Sequence, residues 1–261
     1  MKAPLALLYH AVGPVGRDSD LLHRALFVEP EAFASQMDHL AGSGYRTMRL
    51  AEYAASLDGR ISPVKRFLLT FDDGYAHVAE RVTPVLRRHG FSAVMFVPWA
   101  HVGGRNSWDR HMGLSSLRIM TSEEVRALDA SGSWEVASHG GRHVDLRAGD
   151  CEDRRRELLE ARQNLSALLG RDVDALAYPY GYQDAHVRDD VCAAGFRLAF
   201  TATGHGRVER FRIPRRPITS WDRGVLFRLR TAPPSAWLYW AEDAARVPLK
   251  LRHLSRQRPP N

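Results

Sequence analysis

The chain has 261 residues and a mass of 29.4 kDa; 44% of its residues are hydrophobic and 26% charged, which allows one sizeable globular domain or two small ones and excludes a disordered chain. A formal net charge of +7 favours anionic neighbours such as acidic glycans, nucleic acid or phospholipid headgroups, and charge alone does not choose among them. The only two cysteines, Cys151 and Cys192, exclude a disulfide-stapled scaffold and an all-cysteine zinc module.

The first ten residues contain one short apolar stretch, which Pro4 interrupts. A secretory leader needs roughly 7–15 apolar residues, and a membrane span needs roughly 20. The stretch therefore favours a buried first strand. We expect a cytoplasmic protein whose contact with membranes, if it has one, is peripheral.

Apolar runs and amphipathic segments alternate along the chain. The runs predict strands over residues 5–9, 66–71, 91–97, 134–138, 175–178 and 196–201. Helices are predicted over residues 31–40, 76–89, 121–129, 151–169 and 184–194, with Gly90 and Gly170 as stop signals and a capping box at Thr121 to Glu124. Repeated strand–helix units predict an α/β fold with a parallel sheet or barrel and helices outside.

Two stretches are irregular. Residues 98–118 form a long connection, a feature that is often functional in compact domains. The tail after residue 231 is basic and aromatic, and packing on the domain is favoured over a partner or a membrane surface.

The pair Asp72-Asp73, followed by Gly74, ends a predicted strand and precedes a helix. An ordinary turn is the competing interpretation. The carboxyl edge of a parallel sheet is, however, where active sites gather, and adjacent strand residues point in different directions. The two carboxylates can therefore serve separate purposes, one on a metal and one on a water.

His139 and His143 directly follow another predicted strand. Most histidine pairs at this spacing are incidental. Here the pair shares a sheet edge with Asp73, and two imidazoles with one carboxylate make a hydrolytic metal site with open positions for water.

Tyr178-Pro179-Tyr180-Gly181-Tyr182 stands at a third strand end. It is either an aromatic turn or a rigid loop that presents a backbone N–H to an oxyanion and aromatic faces to a sugar.

In this order, Thr-Phe-Asp-Asp-Gly, Ser-His-x₃-His-x-Asp-Leu and Tyr-Pro-Tyr-Gly resemble the polysaccharide deacetylase superfamily, carbohydrate esterase family four with its NodB-homology domain. The likeness extends from about Leu5 to Trp221. The segments Leu8-Tyr9-His10-Ala11-Val12 and Ala93-Val94-Met95-Phe96-Val97 resemble the permuted branch with poly-N-acetylglucosamine deacetylases. The resemblance implies a distorted (β/α) barrel of about seven parallel strands over residues 1–230, with residues 231–261 as a basic aromatic tail.

The resemblance also implies the roles of individual residues. Asp73, His139 and His143 match the ligands of a divalent metal, usually Zn²⁺, and Asp72 matches the general base. The N–H of Tyr180 matches the oxyanion donor and His10 the general acid. The candidate that orients the base is Arg215. The alternative interpretation of Arg215 is a solvated arginine in a basic run. The alternative interpretation of His10 is a buried histidine at the end of a strand.

The sequence departs from the family pattern at three places. Gly140 stands where a serine or threonine commonly follows the first metal histidine, so the loop lacks a hydroxyl brace. Ala177 stands where many members have an arginine that orients the base. Leu251-Arg252-His253 is a weak counterpart of the usual Leu-x-His motif, and His10 is preferred as the acid.

The predicted function is therefore metal-dependent removal of N-acetyl (alternatively N-formyl) groups from an amino sugar in a polysaccharide, an oligosaccharide or a lipid-linked glycan. An amidohydrolase acting on a small non-sugar amide and a non-catalytic glycan-binding relative are the alternatives. Trp99, Trp108 and Trp221 are candidates for stacking on sugar faces, with ordinary packing as the alternative for each. The basic charge favours an anionic or phosphate-linked glycan, and no specific nucleic-acid binding is expected.

Overall fold

The structure is a computed structural model that describes residues 4–14, 21–109, 117–202 and 208–232. Its strands are β1 Leu5–Tyr9, β2 Ala11–Val12, β3 Phe27–Val28, β4 Arg46–Thr47, β5 Arg66–Phe71, β6 Ala93–Val97, β7 Trp134–Ser138, β8 Ala175–Ala177, β9 Leu198–Phe200 and β10 Arg216–Pro217. Its helices are α1 Leu21–Leu26, α2 Pro30–Gly42, α3 Leu50–Leu57, α4 Ala76–His89, α5 Ser122–Ala130, α6 Cys151–Leu169, α7 Ala185–Ala193 and α8 Val225–Thr231.

The main sheet is parallel at every pairing and follows the order β10-β1-β5-β6-β7-β8-β9, with β4 added beside β5. An isolated parallel bridge between Phe200 and Ile213 joins β9 to the segment that continues into β10. The two edges of the sheet are thereby connected by a few residues of one segment. This curled, seven-strand path confirms the predicted distorted (β/α) barrel.

The two faces of the strands explain how the barrel packs. One set of alternating residues, with Leu7, Phe67 and Met95 among them, packs against the outer helices. The other set, which includes Leu68, Val94 and Phe96, fills the interior. Successive side chains of a strand point to opposite faces, and here both faces are buried. The strands are therefore continuously apolar in sequence.

Helix α3 lies near the amino-terminal end of the strands. Tyr53 on this helix is buried, its hydroxyl donates to the carbonyl of Pro4 at 3.2 Å, and its ring lies 5.8 Å from that of Phe200. The opposite, carboxyl end of the strands carries the polar side chains described below.

Local signals account for most of the predicted boundaries. The capping box at Thr121 and Glu124 forms, and Gly90 and Gly170 end α4 and α6 with φ of 63° and 67°. The predicted strand over 91–97 was too long, because the N–H of Phe91 donates to the carbonyl of Leu86 and completes the end of α4. The strands predicted over 175–178 and 196–201 are likewise shorter.

The predicted division at residues 230 and 231 stays a prediction, since the described residues end at 232. The tail beyond that point, with Leu251-Arg252-His253, lies outside them. None of the helices in the described ranges has both the length and the apolar character needed to cross a bilayer.

Candidate active site

The candidate site lies at the carboxyl end of the barrel, where three rows of inward-facing side chains end. Asp72, His139 and Arg215 each continue, with the strand period of two, the inward positions of β5, β7 and the segment before β10. The inward residues that precede them in those rows are Thr70, Ala137 and Ile213. The apolar interior therefore gives way to a polar cluster at the carboxyl end of the strands.

Asp73, His139 and His143 converge in this cluster, and one ligand atom from each lies within 4.8 Å of the others. Oδ1 of Asp73 is 3.5 Å from Nε2 of His139 and 3.4 Å from Nε2 of His143. All three side chains are buried. The structure thus brings together the three residues that the sequence predicts as metal ligands.

The donor set fits a divalent cation. Oδ1 of Asp73 is a buried carboxylate oxygen without a hydrogen-bond partner among the described residues, although two imidazole nitrogens face it. Two ligands on a tetrahedral zinc, each about 2.05 Å from the ion, stand about 3.4 Å apart, close to both observed separations. The charges agree as well, because the carboxylates of Asp72 and Asp73 outnumber the single guanidinium of Arg215.

The tautomer of His139 follows from one contact. Its Nδ1 lies 2.8 Å from the carbonyl oxygen of Ala177, which can only accept, so Nδ1 carries the proton. In the neutral imidazole the lone pair is then on Nε2, which faces Asp73. In metal-binding histidines the ring nitrogen that does not face the metal typically donates its N–H to such an acceptor, which here is the backbone carbonyl of Ala177.

Electrostatics within the triad follow burial and pairing. Burial opposes ionisation of Asp73, yet the imidazoles of His139 and His143, 3.5 and 3.4 Å from its Oδ1, hold the pKa of this carboxyl well below its ordinary value. Burial lowers the pKa of His143 to about 4. Asp73 is thus a carboxylate and His143 a neutral imidazole at neutral pH, the forms that bind metal.

Asp72 is held by Arg215 in a two-pronged ion pair. The guanidinium Nη1 and Nη2 each donate to one carboxylate oxygen of Asp72 at 2.7 Å. Arg215 also donates to the hydroxyl of Thr70 at 3.1 Å and the carbonyl of Thr201 at 3.0 Å. Burial acts to raise the pKa of Asp72, and the charges of Arg215 and His139 lower it below its ordinary value. Arg215 reaches this place because the segment that carries it pairs with β9 at Ile213 and with β1 at Arg216.

His10 directly follows β1 at the same edge, where the N–H of Asp72 donates to the carbonyl of Tyr9. Burial lowers the pKa of His10, while the charges of Asp73 and Asp72 act in the opposite direction. His10 is therefore within electrostatic reach of both carboxylates.

Aromatic rings surround His143. The ring of Trp108 stacks on it with centroids 4.4 Å apart, and the ring of Tyr180 meets it edge-on at 4.7 Å. Asp73, His143 and Tyr180 all have positive φ, at 72°, 55° and 58°. Such backbone costs free energy and persists where surrounding structure enforces it, so these three loop ends are held in place by their neighbours.

The other two predicted aromatic contacts are placed differently. Trp99 lies in a short 3-10 turn after β6, its ring packs against the core, and its backbone N–H donates to the carbonyl of Gly140. Trp221 is 45% exposed beside α8, and no ring contact joins it to the triad within the described residues.

Three polar residues near the site were not assigned a role from the sequence. The side chain of Asn106 donates to the hydroxyl of Tyr75 at 2.7 Å and to Oδ2 of Asp109 at 3.3 Å. Burial, and then the negative charge of Asp73, raise the pKa of Asp109 to about 7. The only sequence signal for Tyr75 was its position directly after Asp-Asp-Gly. The places of Asn106 and Asp109 near the site depend on how their loop folds.

Comparison with known proteins identifies the family. The polysaccharide deacetylase family model matches residues 60–199, more than half of the chain. The chain belongs to the polysaccharide deacetylase family. The matched region includes Asp72, Asp73, His139, His143 and Tyr180, whereas His10 and Arg215 lie outside it.

Three similar proteins illustrate the likeness. A Bacillus subtilis protein named as a polysaccharide deacetylase, YxkH, is 22% identical over 235 residues, which are 89% of this chain and 72% of that protein. The Escherichia coli poly-β-1,6-N-acetyl-D-glucosamine N-deacetylase is 30% identical over 146 residues, 52% of this chain but only 20% of that protein. The structure of IcaB from Ammonifex degensii superposes with a TM-score of 0.75 at 25% identity, covering 88% of this chain and 97% of that one.

Proposed function

We propose that this polysaccharide deacetylase is a metal-dependent hydrolase that removes N-acetyl groups from an amino sugar of a glycan. The observation that carries the proposal is the buried Asp73–His139–His143 triad beside the Asp72–Arg215 ion pair. A bound divalent ion supplies Lewis-acid chemistry, polarising a carbonyl and acidifying a water.

Asp72 is the proposed general base. Its Oδ2 lies 3.9 Å from Nε2 of His139, so the carboxylate borders the triad while Arg215 fixes its plane. A base at this place takes a proton from the water that attacks the acetamide carbon. Arg215 keeps the carboxylate ionised and oriented before that step.

Tyr180 and His10 are assigned the remaining steps. The N–H of Tyr180 donates to the oxygen that becomes negative when water adds to the carbonyl. His10 gives a proton to the nitrogen as the carbon–nitrogen bond breaks, and the proton that Asp72 takes from water balances it. The products are acetate and a free amine.

The experiment compares the wild-type protein with Asp73→Asn. We expect about one Zn²⁺ per chain in the wild type by elemental analysis, and acetate release from N-acetylglucosamine oligomers. Asp73→Asn should lose both while keeping its circular dichroism spectrum. Asp38→Asn, which changes an exposed carboxylate on α2, serves as the matched control.

The possible outcomes separate the proposal from its alternatives. A wild type that binds no metal would refute the assignment. Metal binding with acetate release only from a small non-sugar amide would replace it with a different amidohydrolase. Glycan binding by a metal-free, inactive wild type would make the protein a glycan-binding relative.

For the substrate, we propose a glycan chain that extends beyond the reacting sugar. A cleft of about 750 Å³ lies along residues 101–107 of the loop that carries Trp108, with Arg105 and Arg118 in its lining. This volume is within the range of ligand sites. Comparing β-1,4- and β-1,6-linked oligomers of increasing length tests it: kcat/KM should rise with length, and a flat series would contradict an extended site.

We also propose that α8 and its flank contact an anionic membrane surface, as an enzyme for lipid-linked glycans requires. Four apolar residues are exposed there among exposed arginines: Trp221, Val225, Leu226 and Leu229, with Arg223 and Arg228. Phe227 of the same helix is buried, so the apolar strip faces away from the domain. Aromatic, aliphatic and basic residues together are typical of interfacial binding.

Co-sedimentation with phosphatidylcholine vesicles, with and without phosphatidylglycerol, tests this contact. We expect binding to the anionic vesicles that Leu226→Ser with Leu229→Ser weakens at least 10-fold. Val64→Ser, at a residue 73% exposed elsewhere, should leave it unchanged. Wild-type protein that stays in solution, or that forms dimers through this strip, would contradict the proposal.

The cytoplasmic location predicted from the sequence stays a prediction.

A further inference from the structure

The loop between the two histidine ligands is held mainly through its backbone; the hydroxyl of Ser138 accepts from the N–H of Gly140 at 3.2 Å. Residues 140–142 are Gly-Gly-Arg, and both Gly140 and His143 have positive φ, at 75° and 55°. The carbonyls of Gly140 and Gly141 accept from the N–H groups of Trp99 and Ala100, each at 3.0 Å. One side of the loop is thus tied to the turn after β6, and the N–H groups of Gly141 and Arg142 point the other way.

Glu157 binds that other side. This residue is on α6 and is 6% exposed. Its Oε1 accepts from the backbone N–H of Gly141 at 2.9 Å and from that of Arg142, and its Oε2 accepts from Nε of Arg142 at 2.9 Å. A buried carboxylate is costly unless it is paired, and here three N–H groups of a single loop satisfy it.

Gly141 and Glu157 are matched in shape. A Cβ built on Gly141 would lie 3.1 Å from the carboxyl carbon and from both oxygens of Glu157, tighter than ordinary contact. The carboxylate reaches the loop so closely because residue 141 has no side chain. A glutamate that only filled space would not require a residue without a side chain at position 141.

We infer that Glu157 is a positioning residue for the metal centre. The hydroxyl of Ser138 braces only the N–H of Gly140, whereas Glu157 fixes the backbone at Gly141 and Arg142, so that both imidazoles converge on Asp73. The inference rests on the proposed metal-dependent function. Residues that orient metal ligands from behind typically contribute 10–100-fold to metal affinity.

The test measures Zn²⁺ affinity of the full-length protein by competition with a chelator. Glu157→Ala should weaken Zn²⁺ binding 10–100-fold, and Glu157→Gln, which keeps an acceptor oxygen, should recover at least half of that loss on a logarithmic scale. At saturating Zn²⁺ both variants should regain kcat to within about 10-fold. The matched control is Glu160→Ala, an exposed glutamate one turn along the same helix, which should bind Zn²⁺ like the wild type.

Gly141→Ala approaches the same contact from the loop side and serves where Glu157→Ala fails to fold. It should weaken Zn²⁺ binding, and its effect should shrink in a Glu157→Gln background because the two changes disturb one contact. Hydrogen exchange of the Gly141 and Arg142 amides should speed up in each variant.

Two failures are distinguishable. Wild type without Zn²⁺ binding would overturn the proposed function itself. Wild type that binds Zn²⁺ and releases acetate, with folded Glu157→Ala and Gly141→Ala variants of unchanged affinity, would overturn the role of Glu157 alone.

Discussion

Replacement of Arg215 by methionine should destabilise the fold through the carboxylate that it leaves behind. Asp72 and Arg215 are each 2% exposed, and two hydrogen bonds of 2.7 Å join them. Without the guanidinium, Asp72 is a buried charge that lacks its cationic partner. Removing one partner of a buried pair typically costs about 3–5 kcal/mol.

The magnitude can be checked from Coulomb's law. With charge centres about 4 Å apart and an effective dielectric constant of about 20, the attraction is about 4 kcal/mol. For a domain of this size, 1 kcal/mol shifts Tm by about 2–4 °C. We therefore expect Arg215→Met to lower Tm by about 10 °C.

A double-mutant cycle in the metal-free protein isolates this interaction. Asp72→Asn with Arg215→Met should be more stable than Arg215→Met alone, because no uncompensated carboxylate remains. A coupling of about 2 kcal/mol or more by urea unfolding is expected. Additive effects, with coupling below about 0.5 kcal/mol, would refute the argument that the pair is a single electrostatic unit.

Three further predictions concern groups around the triad. In metal-free protein the folded pKa of Asp109 is about 7, above its unfolded value, so stability should fall as pH rises from about 4 to about 7; Asp109→Asn should flatten this dependence, and equal pH profiles of the two proteins would refute the shift. His10→Gln should lower kcat/KM about 10²–10⁴-fold and leave Zn²⁺ affinity within about 2-fold; a loss of Zn²⁺ would instead make His10 a ligand. Trp108→Ala should raise KM about 10-fold and weaken Zn²⁺ binding several-fold by freeing the ring of His143, whereas unchanged KM and affinity would show that the stack has no part in the site.

Much of the fold was predictable because the barrel strands are apolar on both faces. The apolar runs at β1, β5 and β7, with the turn residues that follow them, are enough to identify these strands from the sequence. Strand β10 was missed because two residues of an Arg-Ile-Pro-Arg-Arg-Pro stretch have no strand pattern of their own. Its pairing with β1 depends on a partner more than 200 residues away.

The site was predictable to the extent that it lies at strand ends. Asp73, His139 and His143 are next to recognisable strands, so a shared sheet edge followed from the pattern. Glu157 was not predictable, since it is one of several acids in a charged helix and only the fold shows that it is buried. Asp109 lies in the long loop over residues 98–118, and its burial beside Asn106 and Tyr75 depends on the tertiary structure.

The most direct test of the metal-centre assignment is a titration of the chelator-stripped protein with Zn²⁺ while acetate release from an N-acetylglucosamine oligomer is recorded. The rate should rise linearly and reach its plateau at one Zn²⁺ per chain, and Asp73→Asn should show no such rise. Acetate release that persists after complete metal removal, or that is unchanged in Asp73→Asn, would contradict the assignment of Asp73, His139 and His143 as the catalytic metal centre.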